Sequence, residues 1–313
     1  MRVLVTGGAG YIGSTAAALL IEAGFEVTVL DDLSTGHEDS VPKGAIFIKG
    51  SLLNDDDLDR ALSGCDAVMH FAAKSLVGES VEKPELYHQV NVGGSKALIS
   101  KMKEHGITKL VFSSTAATYG EPKRVPISEE DIPAPKNPYG ESKLEIDKII
   151  SESGLSAISL RYFNVAGAYK SKDGWLAERH NPETHLIPNV LRATAAKPVM
   201  IFGTDWPTSD GTCIRDYVHV VDLIEAHIIS LNNLPTNKHE IINLGSGDGY
   251  SVNEVISAAE KAVGHPIAAQ AGERRAGDPA ILIADITKAK RFLNWQPTRG
   301  IDQMVLDTWN SMR

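Results

Sequence analysis

Tyr139 and Lys143 stand four residues apart, just behind Asn137-Pro138, in a stretch with helical spacing. Residues four apart share one face of a helix, so the phenol and the ammonium are neighbours. A free tyrosine has a pKa of about 10 and is phenolate in only roughly one molecule in a thousand at pH 7. A positive charge beside it favours the phenolate. Lowering that pKa by ~3 units needs about 4 kcal/mol of differential interaction. A tyrosine activated in this way can take a proton from a hydroxyl. Thr115 ends the run Phe112-Ser113-Ser114-Thr115, 24 residues before Tyr139. In open α/β sheets ligands sit at such strand ends, and a hydroxyl there can orient a substrate oxygen and share its proton with Tyr139. Thr115, Tyr139 and Lys143 are therefore the candidate catalytic group. A Tyr-x-x-x-Lys pair alone occurs often by chance, and its setting has to carry the argument.

Part of that setting is Gly7-Gly8-Ala9-Gly10-Tyr11-Ile12-Gly13, which follows a β-branched run and opens a helical stretch. Glycines at this spacing allow a tight turn, close approach of the backbone to a pyrophosphate, and close packing of helix on strand. Asp31 falls 18 positions after Gly13, at the end of the second strand. A carboxylate there accepts both ribose hydroxyls of NAD and repels the 2′-phosphate of NADP. No arginine follows it closely, so NAD is the expected cofactor. Its positive nicotinamide ring would add to the ammonium of Lys143 in favouring the Tyr139 phenolate.

The elements that must hold these groups are legible in the first half. Strands are expected at Arg2 to Thr6, Glu26 to Leu30, Ala45 to Ile48, Ala67 to Phe71, Lys109 to Ser113 and Ala157 to Arg161. Between them lie helical stretches at Tyr11 to Ala23, Asp55 to Leu62, Pro84 to His105 and Pro138 to Glu152. Nearly continuous apolar strands alternating with helices argue for an α/β fold: a doubly wound parallel sheet of Rossmann type, covered on both faces. Asn54 is a candidate cap for a helix whose first turn carries Asp55, Asp56 and Asp57. The five prolines between Gly120 and Pro138 read as an ordered surface loop. After Arg161 the alternation decays, and Ala168 to Pro188 reads as irregular. Helices are expected at Ile187 to Ala196, Val221 to Leu231, Val252 to Val263 and Ile301 to Met312, and a strand at Ile241 to Leu244 returns to the sheet. The expected division is a dinucleotide-binding domain over 1–165, with returning segments near 216–245, and a smaller interleaved α/β substrate domain over 166–313.

The 313 residues are 42% hydrophobic and 23% charged, ordinary values for a globular chain. The 31 Lys and Arg against 40 Asp and Glu give a formal charge of -9. With no long basic block, neither nucleic acid nor an anionic membrane is an expected partner. Cys65 and Cys213 make at most one bridge, which rules out a disulfide scaffold. No apolar run has membrane length and no signal segment is evident, so the expected setting is the cytoplasm. None of the ten histidines pairs at a convincing metal-ligand spacing, and no metal is expected.

Four of these features together, Thr6-Gly7-Gly8-Ala9-Gly10-Tyr11-Ile12-Gly13, Ser113-Ser114-Thr115, Tyr139-x-x-x-Lys143 and Arg161-Tyr162-Phe163-Asn164, resemble the extended short-chain dehydrogenase/reductase family. Val77-Gly78-Glu79-Ser80, the run Asn181 to Pro188, the run Asp210 to Tyr217 and the run Arg274 to Asp278 narrow the resemblance to its UDP-glucose 4-epimerase branch. The match spans essentially the whole chain. It implies that Tyr139 takes the proton of a sugar 4-hydroxyl while the C4 hydride passes to NAD. The 4-keto sugar, tethered by UDP, then turns over and is reduced from its other face. Lys143 would also bond the nicotinamide ribose.

The resemblance further implies cofactor contacts at Gly7, Gly10, Tyr11, Ile12, Gly13, Asp31, Asp32, Ser51, Leu52, Phe71, Ala72, Ala73, Lys74, Asn91 and Phe163, besides Thr115, Tyr139 and Lys143. It assigns Asn164, His185 and Leu186 to the substrate lining, with Thr115 and Tyr139, and Met200, Ile201 and Phe202 to the uracil side. Arg215 and Arg275 would fork the diphosphate, with Asp278 beside them; the residues alone also allow Arg215-Asp216 as a structural ion pair. A homodimer through the helices near Pro84 to His105 and Pro138 to Glu152 is implied too. Ser51-Leu52 stands where the family commonly has an Asp at the adenine amine, and Lys74 comes one place early. Leu282 occupies the position that resembles the family's sugar gate. It is intermediate in size, which leaves UDP-N-acetylhexosamines open as alternative substrates, and another UDP-sugar such as the glucuronate remains possible. Sugar dehydratases carry an Asp-Glu pair after the strand-end Thr, where this chain has Ala116-Ala117. A catalytically silent NAD-binding sensor is the reading from another class, and it has no need of Thr115, Tyr139 and Lys143 together.

Overall fold

The computed structural model describes residues 1–275 and 278–313. Seven strands form its central sheet: β1 (Arg2–Thr6), β2 (Glu26–Asp31), β3 (Ile46–Lys49), β4 (Ala67–His70), β5 (Lys109–Thr115), β6 (Ser156–Tyr162) and β7 (His239–Leu244). Their order is β3-β2-β1-β4-β5-β6-β7, and every pairing is parallel. The strand order reverses between β1 and β4, where doubly wound sheets open a ligand crevice.

Alternate residues along the strands enter opposite cores. Val3, Val5, Val29, Met69 and Val111 face helices Tyr11–Glu22 and Val220–Asn232. Leu4, Leu30, Val68, Leu110 and Phe112 face helices Asp55–Leu62, Gly94–Glu104 and Pro138–Ser153. Burying each such side chain contributes about 1.5–3 kcal/mol, and cover on both faces explains the unbroken apolar strands. A third cluster joins Ile187, Val190, Val199, Tyr217, Val255, Met304 and Val305. Residues 284–295 pack with the first core through Ala284, Ile286, Ala289, Leu293 and Trp295; the sequence offered no sign of that return. Among the described residues no helix is long and apolar enough to cross a membrane.

Register decides what projects. The β4 pairing with β5 stops at His70 opposite Phe112, while β5 runs on beside β6 to Thr115 opposite Tyr162. Ser113, Ser114 and Thr115 thus overhang the crevice edge.

Several expected elements differ in detail. The stretch Pro84 to His105 is broken by a π-turn over His88–Gly93. There the Ser95 hydroxyl donates to the Asn91 carbonyl at 2.6 Å and takes up a helix acceptor. The helix expected to reach Ala196 ends at Leu191. Thr194 and Lys197 then exchange backbone hydrogen bonds in a tight turn, and Pro198 disfavours helix at the residue before it. The irregular stretch holds a hairpin of Tyr169–Ser171 and Gly174–Leu176, and a helix at Thr287–Leu293 had no sequence signal.

Candidate active site

The Asn137 side chain accepts from Gly140 N at 2.9 Å and Pro138 fills the first turn, which starts the helix bearing Tyr139 and Lys143 at the overhanging end of β5. Lys143 is 3% exposed; its Nζ donates to the Ser113 carbonyl at 2.8 Å and lies 4.7 Å from the Phe112 ring centroid. Burial lowers its pKa to about 8, although Asp147 pulls the other way. Burial raises the Tyr139 phenol above its ordinary value, against a hydrogen bond from Thr115 that lowers it. The direction is opposite to that expected from the Tyr-Lys spacing. Lys143 spends its ammonium on a carbonyl, so the chain alone does not make the phenol acidic.

Buried polar contacts fix this edge. Arg161 and Asp147 pair at 2.9 Å, each side chain 2% exposed, and the Ser114 hydroxyl donates to the same carboxylate oxygen at 3.2 Å. Thr6 Oγ1 and His70 Nδ1 are 2.7 Å apart, and His70 Nε2 lies 2.9 Å from the Ser95 hydroxyl. Burial, with Lys143 adding, drives the His70 pKa down to about 3, so this imidazole stays neutral. Ser113 and Tyr162 share a short hydroxyl pair. None of Asp147, His70 or Ser95 was singled out from sequence, and Tyr162 appeared only within the Arg161–Asn164 run, with no role of its own. The only signal was polarity inside otherwise apolar runs.

Opposite lies the glycine turn. Gly7 has φ +70°, and a Cβ there would meet Ala72 N at 2.7 Å; a Cβ on Gly13 would meet the Gly7 carbonyl at 2.1 Å. At Gly10 the sole neighbour within 4 Å is that carbonyl, 3.4 Å away, so the outer face of the turn is open to a diphosphate. Asp31 accepts from Ala9 N at 3.0 Å and Leu33 N at 2.8 Å, which fixes its carboxylate beside the turn. This cradle fits NAD. Asp32 accepts from Ser34 N, and Ser51 Oγ accepts from Leu53 N above the buried Leu52. Phe71, Ala72, Ala73 and Lys74 leave β4 past Thr6. The Asn91 amide is spent on both backbone groups of Lys74 and on Ser142, so it braces that strand exit. Tyr11 donates to the Gly167 carbonyl, while Ile12 and Phe163 flank the first core.

On the far side Met200, Ile201 and Phe202 lie on the strand Val199–Phe202, paired with Ala269–Gly272. Arg275 donates to Asp278 at 3.0 Å and stacks over Phe202 at 4.7 Å; Arg215 Nη2 stands 3.8 Å from the same carboxylate. Leu282 is the register partner of Arg215. Arg215, Arg275, Asp278, Phe202 and Leu282 are therefore brought together. Asp216 is no partner of Arg215: its carboxylate accepts from Ser246, Gly247 and Ala284 N–H groups. Asn164 donates to the Asp216 carbonyl at 2.9 Å. Leu186 opens the helix Leu186–Leu191, but the His185 ring turns to Glu183 at 2.7 Å, in a cluster with Glu178 and His180 that the sequence did not disclose. In that cluster the hydrogen bond to Glu178 raises the His180 pKa, and for His185 the two carboxylates outweigh a burial that lowers it.

Comparison with known proteins agrees with this layout. Residues 3–245 match the NAD dependent epimerase/dehydratase family. A UDP-glucose 4-epimerase of Corynebacterium glutamicum is 50% identical over 99% of this chain and 95% of its own. A solved UDP-glucose 4-epimerase superposes with a TM-score of 0.95 at 44% identity, over 99% of this chain and 97% of that one. The Brucella ovis enzyme in complex with NAD superposes at 0.94 with 39% identity, over the same shares. The chain belongs to the NAD-dependent epimerase/dehydratase family, among its UDP-glucose 4-epimerases.

Proposed function

We propose that the chain interconverts UDP-glucose and UDP-galactose through a transient 4-keto sugar on a retained NAD, with Tyr139 as the base at the 4-hydroxyl. The overhang of Thr115 beside Tyr139 and Lys143 carries this reading. NAD held by the Gly7–Gly13 turn and Asp31 would supply the hydride acceptor and donor for C4. Tyr139 takes the 4-hydroxyl proton and gives it back, so no net oxidation occurs. Thr115 orients that hydroxyl and hydrogen-bonds the phenol. Burial holds the phenol protonated in the chain alone, so a positive charge arriving with the cofactor is what activates it. Lys143 holds a ribose hydroxyl and adds its own charge. Arg215 and Arg275 grip the UDP diphosphate in place of Asp278, which frees the sugar to turn while the nucleotide stays tethered.

Ala116 and Ala117 stand in a short 3₁₀ turn capped by Thr115 and offer no acid or base for eliminating water, which opposes a dehydratase. A silent NAD sensor would not need Lys143 desolvated against the catalytic strand. The unbridged Cys65 and Cys213 suit a cytoplasmic setting. Two copies pair through the helices of 84–105 and 138–153; light scattering that returned a single-chain mass at working concentration would end that assignment. The test of function is to incubate purified protein with UDP-galactose, adding no cofactor, and follow the anomeric protons by NMR. UDP-glucose is expected. No conversion, even with NAD added, would refute the reading.

A further inference from the structure

Glu178, His180 and His185 each offer a ligand atom, and these atoms lie within 4.8 Å of one another. Two imidazoles and a carboxylate are the donor set of borderline-soft divalent ions, Zn²⁺ foremost. The surroundings are those of a built site. The Glu178 side chain is 10% exposed and that of Glu183 5%. Glu183 Oε1 stands 2.7 Å from His185 Nδ1; with that nitrogen held by a carboxylate, the ring can ligate a metal only through Nε2. Its other oxygen, Oε2, is buried with no hydrogen-bond partner. The closest cation to that oxygen, Arg192 Nη1, is 3.8 Å away on a side chain 48% exposed. In the absence of an ion these carboxylates face His180, His185 and Arg192; a divalent ion would displace the protons of the two imidazoles and take their place as counter-charge.

We propose that Glu178, His180 and His185, braced by Glu183, bind one divalent transition-metal ion of the Zn²⁺ class, which fastens segment 178–186 along the rim of the cleft. The segment leads directly into the helix that opens at Leu186. The ion's role is structural, and the proton and hydride steps stay with Tyr139 and the cofactor.

The test uses tag-free full-length protein, dialysed and then analysed for metals by mass spectrometry. One ion per chain is expected, with Co²⁺ replacement giving visible ligand-field bands. Chelator-stripped protein should take up Zn²⁺ with one-to-one saturation in calorimetry and melt at a higher temperature once loaded. His180→Ala should weaken uptake by at least about 100-fold, and Glu183→Gln by about 10–100-fold. Near-UV circular dichroism checks that each variant is folded, and Glu178→Gln serves if His180→Ala is not. Absence of saturable Zn²⁺ uptake by the stripped wild type would overturn the proposal. So would unchanged uptake by a folded His180→Ala or Glu178→Gln, which would put the ion elsewhere.

Discussion

The two walls of the cleft are built on different terms. On the dinucleotide side the groups near the chemistry are held by buried partners: Arg161 with Asp147, His70 between Thr6 and Ser95, Lys143 on the Ser113 carbonyl. On the nucleotide-sugar side Arg215 sits on a two-residue strand, and Arg275, 61% exposed along its side chain, leans on Asp278. The first wall is organised before any ligand arrives. In the second, the arginines share one carboxylate, which under the proposed function the UDP diphosphate would replace. Geometry must be exact to a fraction of an ångström where a proton and a hydride move; a tether only has to hold.

The contrast predicts which substitutions damage chemistry, which damage the fold and which damage only binding. Tyr139→Phe removes the base and should lower kcat by about 10²–10⁴-fold, with NAD content per chain unchanged in the purified protein. Full turnover by that variant would remove Tyr139 from the mechanism. Asp147→Ala leaves the Arg161 guanidinium buried and unpaired, which should cost about 3–5 kcal/mol in urea unfolding. Arg275→Ala should shift stability by no more than about 0.5 kcal/mol while raising KM for UDP-galactose by about 10–100-fold, the loss of a charged hydrogen bond. If the two variants traded effects, the difference between the walls would be an illusion.

The pH dependence sharpens the same point. Lys143 has its pKa lowered to about 8, so it loses its charge as pH rises through that value, and turnover should fall above pH 8 by about tenfold per unit. The folded chain holds fewer protons here than the unfolded one between pH 8 and 10.5, so this lysine's contribution to stability rises over that window. Lys143→Arg keeps the charge at high pH and should flatten the alkaline limb, at a lower plateau because the fork does not match an ammonium site. An alkaline limb that stayed in place in that variant would assign it to another group.

What could be read from sequence tracks the same division. The glycine turn, Asp31 and the strands up to β6 were legible because parallel strands are short β-branched runs with glycine and capping residues between them. Tyr139 and Lys143 were legible because helix spacing fixes their common face. The direction of the Tyr139 shift was not, since spacing does not say that Lys143 points at a carbonyl or how dry the phenol is. On the second wall Ile214–Arg215 and Ile281–Leu282 are two-residue strands with no periodicity to detect. Arg215, Arg275 and Leu282 were found only through whole-chain resemblance. Glu178 and His180 escaped because their approach to His185 depends on an irregular turn through Pro182, which no helical or strand period describes.

Leu282 offers the smallest and most selective probe of the adaptable wall. It pairs in register with Arg215, and its carbonyl accepts from Asp216 N at 2.9 Å, so its backbone is fixed beside the arginine and its side chain is half-buried. If this position gates the sugar, as the resemblance implies, a tyrosine on the same backbone would narrow the space and leucine would leave room for an acetamido group. Wild type should therefore turn over UDP-N-acetylglucosamine as well as UDP-glucose. Leu282→Tyr should lower kcat/KM for the N-acetyl substrate by about tenfold, the scale of a few methylenes of steric room, and leave UDP-glucose nearly unchanged. A parallel loss on both sugars would mean that the wall is as rigid as the one opposite. No wild-type turnover of the N-acetyl sugar would show that its width is set by residues other than Leu282.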